Sequence, residues 1–299
     1  MGLLAVFSAA KVYAQATDEQ EATQASPWTL GIALGHGRRS NPFVGSDDMP
    51  LNAVLDIAWY GERFFFDNGD FGFNLSTSAQ WSVNALLVFN NERNYYSYLN
   101  NGSSGLDILN LKRLARENGL GLPGIAGEEG VDIDSLTAQE LDSLVFQDVD
   151  SSLAERDFAA SSGLEFIYSH AWGDLQGQLL SDVSGVHGGQ SAWLAYSYPW
   201  FTPKSEFNLS LGLDWKSKNL VDYYYGVLQK ESIKGRPAYR AGSGMNSVIR
   251  FSASRELSDH WRLVGVVERE YLSGAIRKSP IIEKDVVNTI FVGLYYQFK

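Results

Sequence analysis

The sequence contains no cysteine, which excludes disulfide bonds, thiolate catalysis and cysteine-ligated zinc. Basic residues are outnumbered, with 24 Lys and Arg against 35 Asp and Glu, and the net charge of −11 disfavours a nucleic-acid partner. The sequence also lacks the run of about 20 apolar residues that a membrane-spanning helix requires. Its longest charge-free stretch, residues 71–91, carries Asn, Ser or Gln at every second position from 74 to 84. This alternation excludes a membrane helix there and indicates a different structure.

Residues 71–89 alternate with a period of two, which predicts a β-strand. The odd positions are mostly large and apolar, from Phe71 through Trp81 to Phe89, and the even positions up to 84 are small or polar. We interpret the stretch 71–91 as one strand, longer than the ~10 residues that a tilted membrane strand requires. Similar alternation occurs at 28–35, 207–216, 245–254 and 289–298, and weaker alternation occurs at 52–66, 160–172, 174–184, 190–200 and 260–273.

Alternation alone fits two architectures, a soluble β-sandwich and a membrane β-barrel. The composition of the two faces distinguishes them, because the small and polar set suits a wet lumen and the large apolar set suits a lipid face. The 16 Phe, 15 Tyr and 8 Trp suit aromatic girdles, and the 29 Gly suit crowded lumen positions. We therefore expect an all-β fold, a transmembrane antiparallel up-and-down β-barrel, in preference to a sandwich.

The connections between the predicted strands alternate in length. Tight turns at 67–70, 172–174, 201–204 and 257–260 are assigned to the periplasmic side of the barrel. Longer connections at 37–51, 99–157, 185–190, 217–242 and 274–285 are assigned to the external side. This pattern predicts about ten strands. The number becomes twelve if the region of Tyr223, Tyr224 and Tyr225 adds a hairpin.

The N-terminal residues precede the barrel pattern. Residues 1–14 have a short apolar run followed by small residues near Ala14, which indicates a cleaved signal peptide. Residues 15–26 are mostly polar and are interpreted as a periplasmic leader. The barrel itself is assigned to residues 27–299.

The longest connection, 99–157, is an acidic insertion in an external loop. Its second half, from Glu128 to Asp157, contains ten acidic residues and a single basic one, Arg156. Helices are predicted at 105–118, closed by Gly119, and at 137–154, opened by a capping-box pattern. We interpret the insertion as a solvated cap over the barrel mouth. The alternatives are a flap that binds a partner or a divalent-cation site at Asp148 and Asp150.

Four charged residues lie on the polar faces of neighbouring strands and are expected to point into the lumen: Asp214, Lys216, Arg250 and Glu268. Burying an unpaired charge costs several kcal/mol, so inward charges should be matched across strands. We predict that Arg250 contacts Asp214 on one side and Glu268 on the other. A lumen enclosed by ten strands is largely filled by side chains, which argues against a general porin.

One candidate catalytic set lies at the external rim, where Asp182, Ser184 and His187 are close in sequence. A Ser–His–acid set is recognised by its geometry, and among 35 acids and many serines proximity by chance is expected. The four histidines never form a pair with metal-ligand spacing on one element. We therefore expect no enzymatic activity, no metal and no cofactor.

Several different short motifs are distributed along the whole predicted barrel. They include Pro42-Phe43-Val44-Gly45, residues 182–189, residues 222–227, Ser279-Pro280 and the terminal Phe298. In these motifs and in their order the chain resembles the MipA/OmpV family of outer-membrane proteins. It departs from the family in the length of the acidic insertion and in Lys299, which follows the usual terminal aromatic residue.

The resemblance implies an integral barrel of the bacterial outer membrane, in contact with its lipid and lipopolysaccharide. It also implies a scaffold for envelope enzymes, in which a lytic transglycosylase that cleaves murein is linked to a penicillin-binding protein that synthesises it. Other relatives imply a stress- or osmolarity-linked protein or an adhesin, and a narrow pore is the remaining alternative. No nucleic acid is expected as a partner.

Overall fold

Twelve antiparallel strands form a closed barrel in the computed structural model, which describes residues 27–90, 92, 153–154, 156–233 and 235–298. Each strand pairs with the next along the chain, and the last strand returns to pair with the first. A further two-residue strand, β2, pairs with the outer end of β1. The strands are β1 Trp28–Arg39, β2 Met49–Pro50, β3 Ala53–Tyr60, β4 Phe64–Asp67, β5 Asp70–Thr77, β6 Trp81–Phe89, β7 Ala160–His170, β8 Gly173–Asp182, β9 Gln190–Thr202, β10 Ser205–Lys216, β11 Gly244–Glu256, β12 Trp261–Tyr271 and β13 Val286–Phe298.

The predicted fold class is confirmed, and the number of barrel strands is the alternative count of twelve. The prediction that the region of Tyr223 to Tyr225 supplies the extra hairpin was wrong. The region of Tyr223 to Tyr225 belongs to a helix, α1, which spans Lys218–Tyr225. The extra strands arise because 52–66 contains β3 and β4, and 71–91 contains β5 and β6. The break in the second stretch is a turn at 78–80, in which the Ser78 N–H donates to the Trp81 carbonyl at 2.8 Å.

The turn at 67–70 lies at the opposite end of the barrel from the one predicted. Because β3 and β4 are separate strands, this turn connects an ascending strand to a descending one and shares its end with the long loops. Asn68 and Gly69 adopt positive φ angles of 51° and 106°, which a tight hairpin turn requires. The Asn68 N–H donates to the Ile57 carbonyl, and the Ile57 N–H donates to the Asn68 Oδ1. The wall is low here, since β4 has only four residues.

The two faces of the wall differ as the alternation predicts. Large apolar side chains point outward along every long strand, including Leu34, Leu194 and Val292, each more than half exposed. Aromatic rings on the inner face lie directly over glycines of the adjacent strand: Tyr295 over Gly31, Phe65 over Gly72 and Trp193 over Gly212. A Cβ atom at any of these glycines would collide with the ring. The glycines therefore allow aromatic side chains to fill the lumen.

The inner face also contains a small apolar cluster beside the seam between the first and last strands. It comprises Ala33, Val54, Val264, Phe291 and Tyr295, all buried. The Tyr295 hydroxyl donates to the buried Asp56 carboxylate at 2.7 Å, which satisfies both polar groups. The lumen at this position is therefore packed in the manner of a protein core.

In the part of the chain that the structure describes, no helix is long and apolar enough to cross a membrane. The predicted signal peptide at 1–14 and the predicted leader at 15–26 lie outside the described residues, as does Lys299. The predicted helix at 105–118 also lies outside them. Of the predicted helix at 137–154, only Leu153 and Ala154 are described.

Candidate functional site at the external mouth

Three external loops fold together over one end of the barrel and form a cap, which we define as residues 40–52, 217–243 and 272–285. The cap contains α1, a 3-10 helix at Gln229–Glu231 and the short helix α2 at Gly274–Arg277. Its core is a single apolar cluster with contributions from all three loops and from Val287 of β13. The buried members are Phe43, Met49, Leu220, Val221, Tyr224, Tyr225, Val227, Ala241, Leu272, Ile276, Ile281 and Val287.

Most of the family motifs meet in this cap. The Phe43 ring stacks on Tyr225 with centroids 6.0 Å apart and planes 7° from parallel. The Val44 N–H donates to the Ile281 carbonyl at 3.0 Å, and the Ser279 hydroxyl donates to the Tyr225 carbonyl at 2.5 Å. Pro42 accepts the Glu283 N–H through its carbonyl at 2.8 Å. Gly45 turns the chain with a φ of 70°, and Pro280 lies in the turn between Ser279 and Ile281.

Helix α1 is the element that the sequence analysis missed. Its buried residues Leu220, Val221, Tyr224 and Tyr225 recur at the spacing of one helical face. That spacing was the available signal, although eight residues give a weak pattern. The Asp222 carboxylate accepts the Ala241 N–H at 2.7 Å and ties the helix to the end of its own loop. The helix thus presents an apolar face to the loops 40–52 and 272–285.

Two ion pairs, one before and one after residues 93–152, hold the chain at the mouth of the barrel. Glu92 lies 2.5 Å from the Lys216 Nζ and also accepts the Tyr225 hydroxyl. Arg156 contacts Glu231 through Nη1 at 3.0 Å and Nη2 at 3.2 Å, and the pair is almost fully buried. The Arg156 Nε also donates to the Tyr223 carbonyl at 2.6 Å.

The Glu231 carboxylate is held in its ionised form by several donors. Burial by itself would raise its pKa, but hydrogen bonds from Arg156 and from the N–H groups of Leu228 and Ala154 lower the pKa below its ordinary value. Arg156 is the single base among the acids of the insertion's second half. The cap therefore binds Arg156, the single basic residue between Glu128 and Asp157.

The predicted lumen charges lie on the inner face, but one predicted contact is wrong. Arg250 pairs with Glu268 on β12, and Glu268 also accepts Arg39 at 3.0 Å. Asp214 does not reach Arg250, because the register places Arg250 opposite Ser210. Asp214 instead pairs with Lys216 on its own strand at 3.1 Å.

Inward charges form two neighbouring groups beneath the cap. Arg39 bridges the carboxylates of Glu268 and Glu270, and Glu270 accepts the amide of Asn246 at 2.7 Å. On the other side of Asn246, Lys216 joins Asp214 to Glu92. Ion pairs and hydrogen bonds therefore join β1, β11 and β12, and a second group on β10 lies beside Asn246. The inward cations Arg39, Arg250 and Lys216 each have a carboxylate partner.

The candidate catalytic set is brought together in a form that does not activate the serine. The Ser184 hydroxyl donates to Asp182 at 2.6 Å, and its oxygen accepts the Ala160 N–H. His187 Nδ1 accepts the Gly189 N–H at 2.8 Å and so is not free to act as a base toward Ser184. Burial lowers the pKa of His187, opposed by the nearby Asp182. Asp182 also accepts the N–H groups of residues 184, 185, 187 and 188, and it serves to fix this loop.

A family model described as "MltA-interacting protein MipA" matches residues 32–298. The chain belongs to the MipA family. The match includes every strand of the barrel after the first four residues of β1, all three cap loops and the motif residues from Pro42 to Phe298. The predicted family is confirmed.

Individual relatives of this MipA-family barrel match half of the chain or less. "MltA-interacting protein" of Escherichia coli (strain K12) is 27% identical over 147 residues, 49% of this chain and 59% of that protein. "Putative outer membrane protein YiaT" of the same strain is 24% identical over 147 residues, 49% of this chain and 60% of that protein. "Outer membrane protein OmpV" of Vibrio cholerae is 29% identical over 82 residues, 27% of this chain and 31% of that protein. The matches thus span less than two thirds of these relatives.

Among solved structures, the translocator domain of the autotransporter NalP from Neisseria meningitidis is similar with a TM-score of 0.40 and 11% identity, covering 96% of this chain and 93% of that one. The relatives are named outer membrane proteins, and the barrel of this MipA-family chain has an apolar outer wall. The predicted location is confirmed, and the chain is an integral protein of the outer membrane. Among its described residues, no group of three or more His, Asp or Glu side chains is arranged to hold a metal ion.

Proposed function

We propose that this barrel acts by binding other proteins of the cell envelope, with a lytic transglycosylase and a penicillin-binding protein as the partners to test first. The observation that carries the proposal is the cap, whose shared apolar core seats three loops on the external mouth. A general porin requires an open mouth and a wide lumen, and here the inner wall carries ion pairs and aromatic rings packed over glycines. The name of the E. coli relative supplies the class of partner.

A murein enzyme would meet the barrel at its periplasmic end, opposite the cap. Two apolar side chains are exposed there on turns that lie side by side: Phe201, at the β9–β10 turn, is 53% exposed, and Leu257, at the β11–β12 turn, is 55% exposed. The Glu256 N–H donates to the Lys204 carbonyl at 2.9 Å and holds the turns together. Exposed apolar and aromatic anchors are typical of protein-binding surfaces. We propose these turns as the docking surface.

Crosslinking in intact envelopes, followed by purification of the barrel and mass spectrometry, tests this proposal. The wild-type barrel is expected to carry a murein hydrolase or synthase. The variant Phe201→Ser/Leu257→Ser should lose most of that protein, because apolar anchors supply most of the energy of such interfaces. The matched control is Leu228→Ser, which removes a side chain that is 50% exposed on the external cap. It should leave the co-purified protein unchanged.

Planar-bilayer recording of the purified barrel provides a second test. We expect no stable unitary conductance of porin size. Reproducible porin-size conductance would overturn the binding role. In the crosslinking experiment, equal loss of the co-purified enzyme in the turn variant and in the control would overturn the assignment of the docking surface to the turns.

A narrow pore is the second candidate function, and one observation favours it. Buried polar atoms on the inner face of β8 to β10 have no hydrogen-bond partner among the described residues: Trp193 Nε1, Asn208 Oδ1 and Asp174 Oδ1. Such atoms are normally satisfied by water when protein offers no partner. A wet strip along this side of the lumen would pass only small solutes. Small, regular conductance that Asn208→Leu abolishes in an otherwise folded barrel would support the pore.

A further inference from the structure

Three charged side chains of the described strands point toward the lipid, and all three are arginines. Alternation along the described strands places the carboxylates of Asp56, Glu165, Glu268 and Glu270 on the inner face. Arg38 of β1, Arg269 of β12 and Arg255 of β11 are exposed on the outer face. A cation on the lipid face is unfavourable at the bilayer midplane and is tolerated near the interface, so outward arginines are expected at the interface.

Arg38 and Arg269 belong to one patch at the external end of the barrel. They flank β13, with Arg38 opposite Ile290 on one side and Arg269 opposite Asn288 on the other. Strands lie about 4.8 Å apart, so the two arginines are separated by about 10 Å across β13 and are offset by two residues along it. Arg255 lies at the periplasmic end of β11 and is not part of this patch.

The patch remains cationic after its protein neighbours are counted. Asp48 is the carboxylate near Arg38, and it pairs with Lys284 at 2.7 Å. Arg269 lies over the Tyr271 ring with its guanidinium carbon 5.4 Å from the centroid. Within the described part of the chain, neither arginine forms an ion pair with a carboxylate within 4 Å. Two guanidinium groups therefore face the outer leaflet, and neither has a carboxylate bound to it among the described residues.

An apolar groove lies on the same wall below the two arginines. It is lined by Ile32 and Leu34 of β1, Leu294 and Tyr296 of β13, and Trp261 of β12, and its volume is about 230 Å³. Its lining is entirely apolar or aromatic, and it faces the bilayer. Leu34 and Leu294 form its upper end, four residues below Arg38 along β1, and Trp261 and Tyr296 form its periplasmic end. Strands rise about 3.3 Å per residue, so a hydrocarbon chain that descends about 13 Å from a head group held at Arg38 would reach the upper end of the groove.

We propose that Arg38 and Arg269 bind the phosphate groups of lipid A, the phosphorylated glycolipid of the outer leaflet, with an acyl chain of the same molecule at the upper end of the groove, against Leu34 and Leu294. Guanidinium groups bind phosphate through paired, charge-assisted hydrogen bonds, which are stronger than bonds between neutral groups. The external end of the wall is the depth at which lipid A phosphates lie. The site is formed by β1, β12 and β13 and is independent of the periplasmic turns.

The test measures binding of defined lipids to the purified full chain in detergent by native mass spectrometry. Lipid A with both phosphates should bind the wild-type barrel, and chemically dephosphorylated lipid A should bind at least about tenfold more weakly. Arg38→Gln/Arg269→Gln should bind the phosphorylated lipid at least about tenfold more weakly than the wild type does. The matched control Arg255→Gln, which removes the outward arginine of the periplasmic end, should bind as the wild type does.

Three results would overturn the site. The first is equal binding of phosphorylated lipid A by the double glutamine variant and the wild type, and the second is equal binding of phosphorylated and dephosphorylated lipid A by the wild type. The third is full competition by millimolar inorganic phosphate, which would indicate a site for free phosphate. If the double variant does not fold, the single variants Arg38→Gln and Arg269→Gln decide the question. Each should weaken binding of the phosphorylated lipid and leave binding of the dephosphorylated lipid unchanged, and unchanged binding of both lipids would overturn the proposal. Leu34→Trp, which fills the groove, should weaken binding of both lipids.

Discussion

At the scale of single residues, the buried charges of the lumen are shared instead of being paired one to one. The Glu268 carboxylate, 4% exposed, contacts both Arg39 and Arg250. Removing one partner of a buried pair costs about 3–5 kcal/mol when the remaining charge is left alone. Since Arg39 would still neutralise Glu268, we expect Arg250→Ala to lower the free energy of unfolding by about 3 kcal/mol, at the low end of that range. Urea unfolding followed by tryptophan fluorescence measures the change.

The control for this prediction is Arg255→Ala, which removes an arginine from the outer face of the same strand. It should change the stability by less than about 0.5 kcal/mol, as is usual for surface substitutions. Equal losses in the two variants would show that the lumen network contributes nothing specific.

The same residues show what the sequence could predict at this scale. Alternation along β10 and β11 assigns Asp214 and Arg250 to the inner face, because a period of two fixes which side of a strand each residue faces. It does not determine the register between strands, and a displacement of four residues along β10 separates Ser210, the actual neighbour of Arg250, from Asp214. The pairing of Lys216 with Glu92 involves a residue that no strand pattern includes.

At the scale of elements, the ion pair of Glu231 and Arg156 predicts an acid-sensitive cap. The lowered pKa of Glu231 means that its ionisation favours the folded cap. Its contribution is therefore complete above the ordinary glutamate pKa of about 4.3 and is lost as the pH falls through the lowered pKa. We expect acidification below about pH 4 to reduce the hydrogen-exchange protection of α1, measured by mass spectrometry and corrected for the intrinsic exchange rate.

Glu231→Gln should reduce protection of α1 at neutral pH and remove this part of its pH dependence. The matched control is Glu283→Gln, which alters an exposed carboxylate in another cap loop and should behave as the wild type does. If the Glu231 variant and the wild type lost protection over the same pH range, the acid sensitivity would have another origin.

Two elements show why local sequence patterns were incomplete. The alternation of large and small residues in the sequence continues across the turn at 78–80 without a break. In the structure the register shifts between Asn74 and Ser76, so that Thr77 pairs with Ser82 and lies on the face opposite Trp81. No Gly, Pro or Asn marks this turn. The cap forms because three distant loops bury apolar residues together, and Phe43 and Tyr225 meet across 182 positions of the chain, which no local pattern reports.

At the scale of the whole molecule, the last strand is both the closing strand and the carrier of the terminal aromatic residue. Phe298 lies opposite Leu30 and is 50% exposed on the outer face, beside the Tyr296 ring at 5.0 Å. We expect Phe298→Ser to lower the fraction of protein that is inserted and folded, because the seam between β1 and β13 loses an apolar contact. The fraction is measured as the heat-modifiable band in isolated outer membranes.

Phe64→Ser serves as the control, because Phe64 is 63% exposed on β4, away from the seam. It should insert at nearly the wild-type level. Unchanged insertion of the Phe298 variant would contradict the role of this residue in closing the barrel.

The seam itself has a consequence for the time course of biogenesis. The hydrogen bonds between β1 and β13 join residues separated by more than 240 positions, from Leu30↔Phe298 to Arg39↔Thr289. The entropic cost of closing so long a loop grows only slowly with its length, but such distant pairing is slow to form. From synthesis until the arrival of β13, one edge of β1 remains open, with Leu30, Ile32 and Leu34 beside it, and an open apolar edge is a template for aggregation. We therefore expect the chain to need protection from aggregation until β13 pairs with β1.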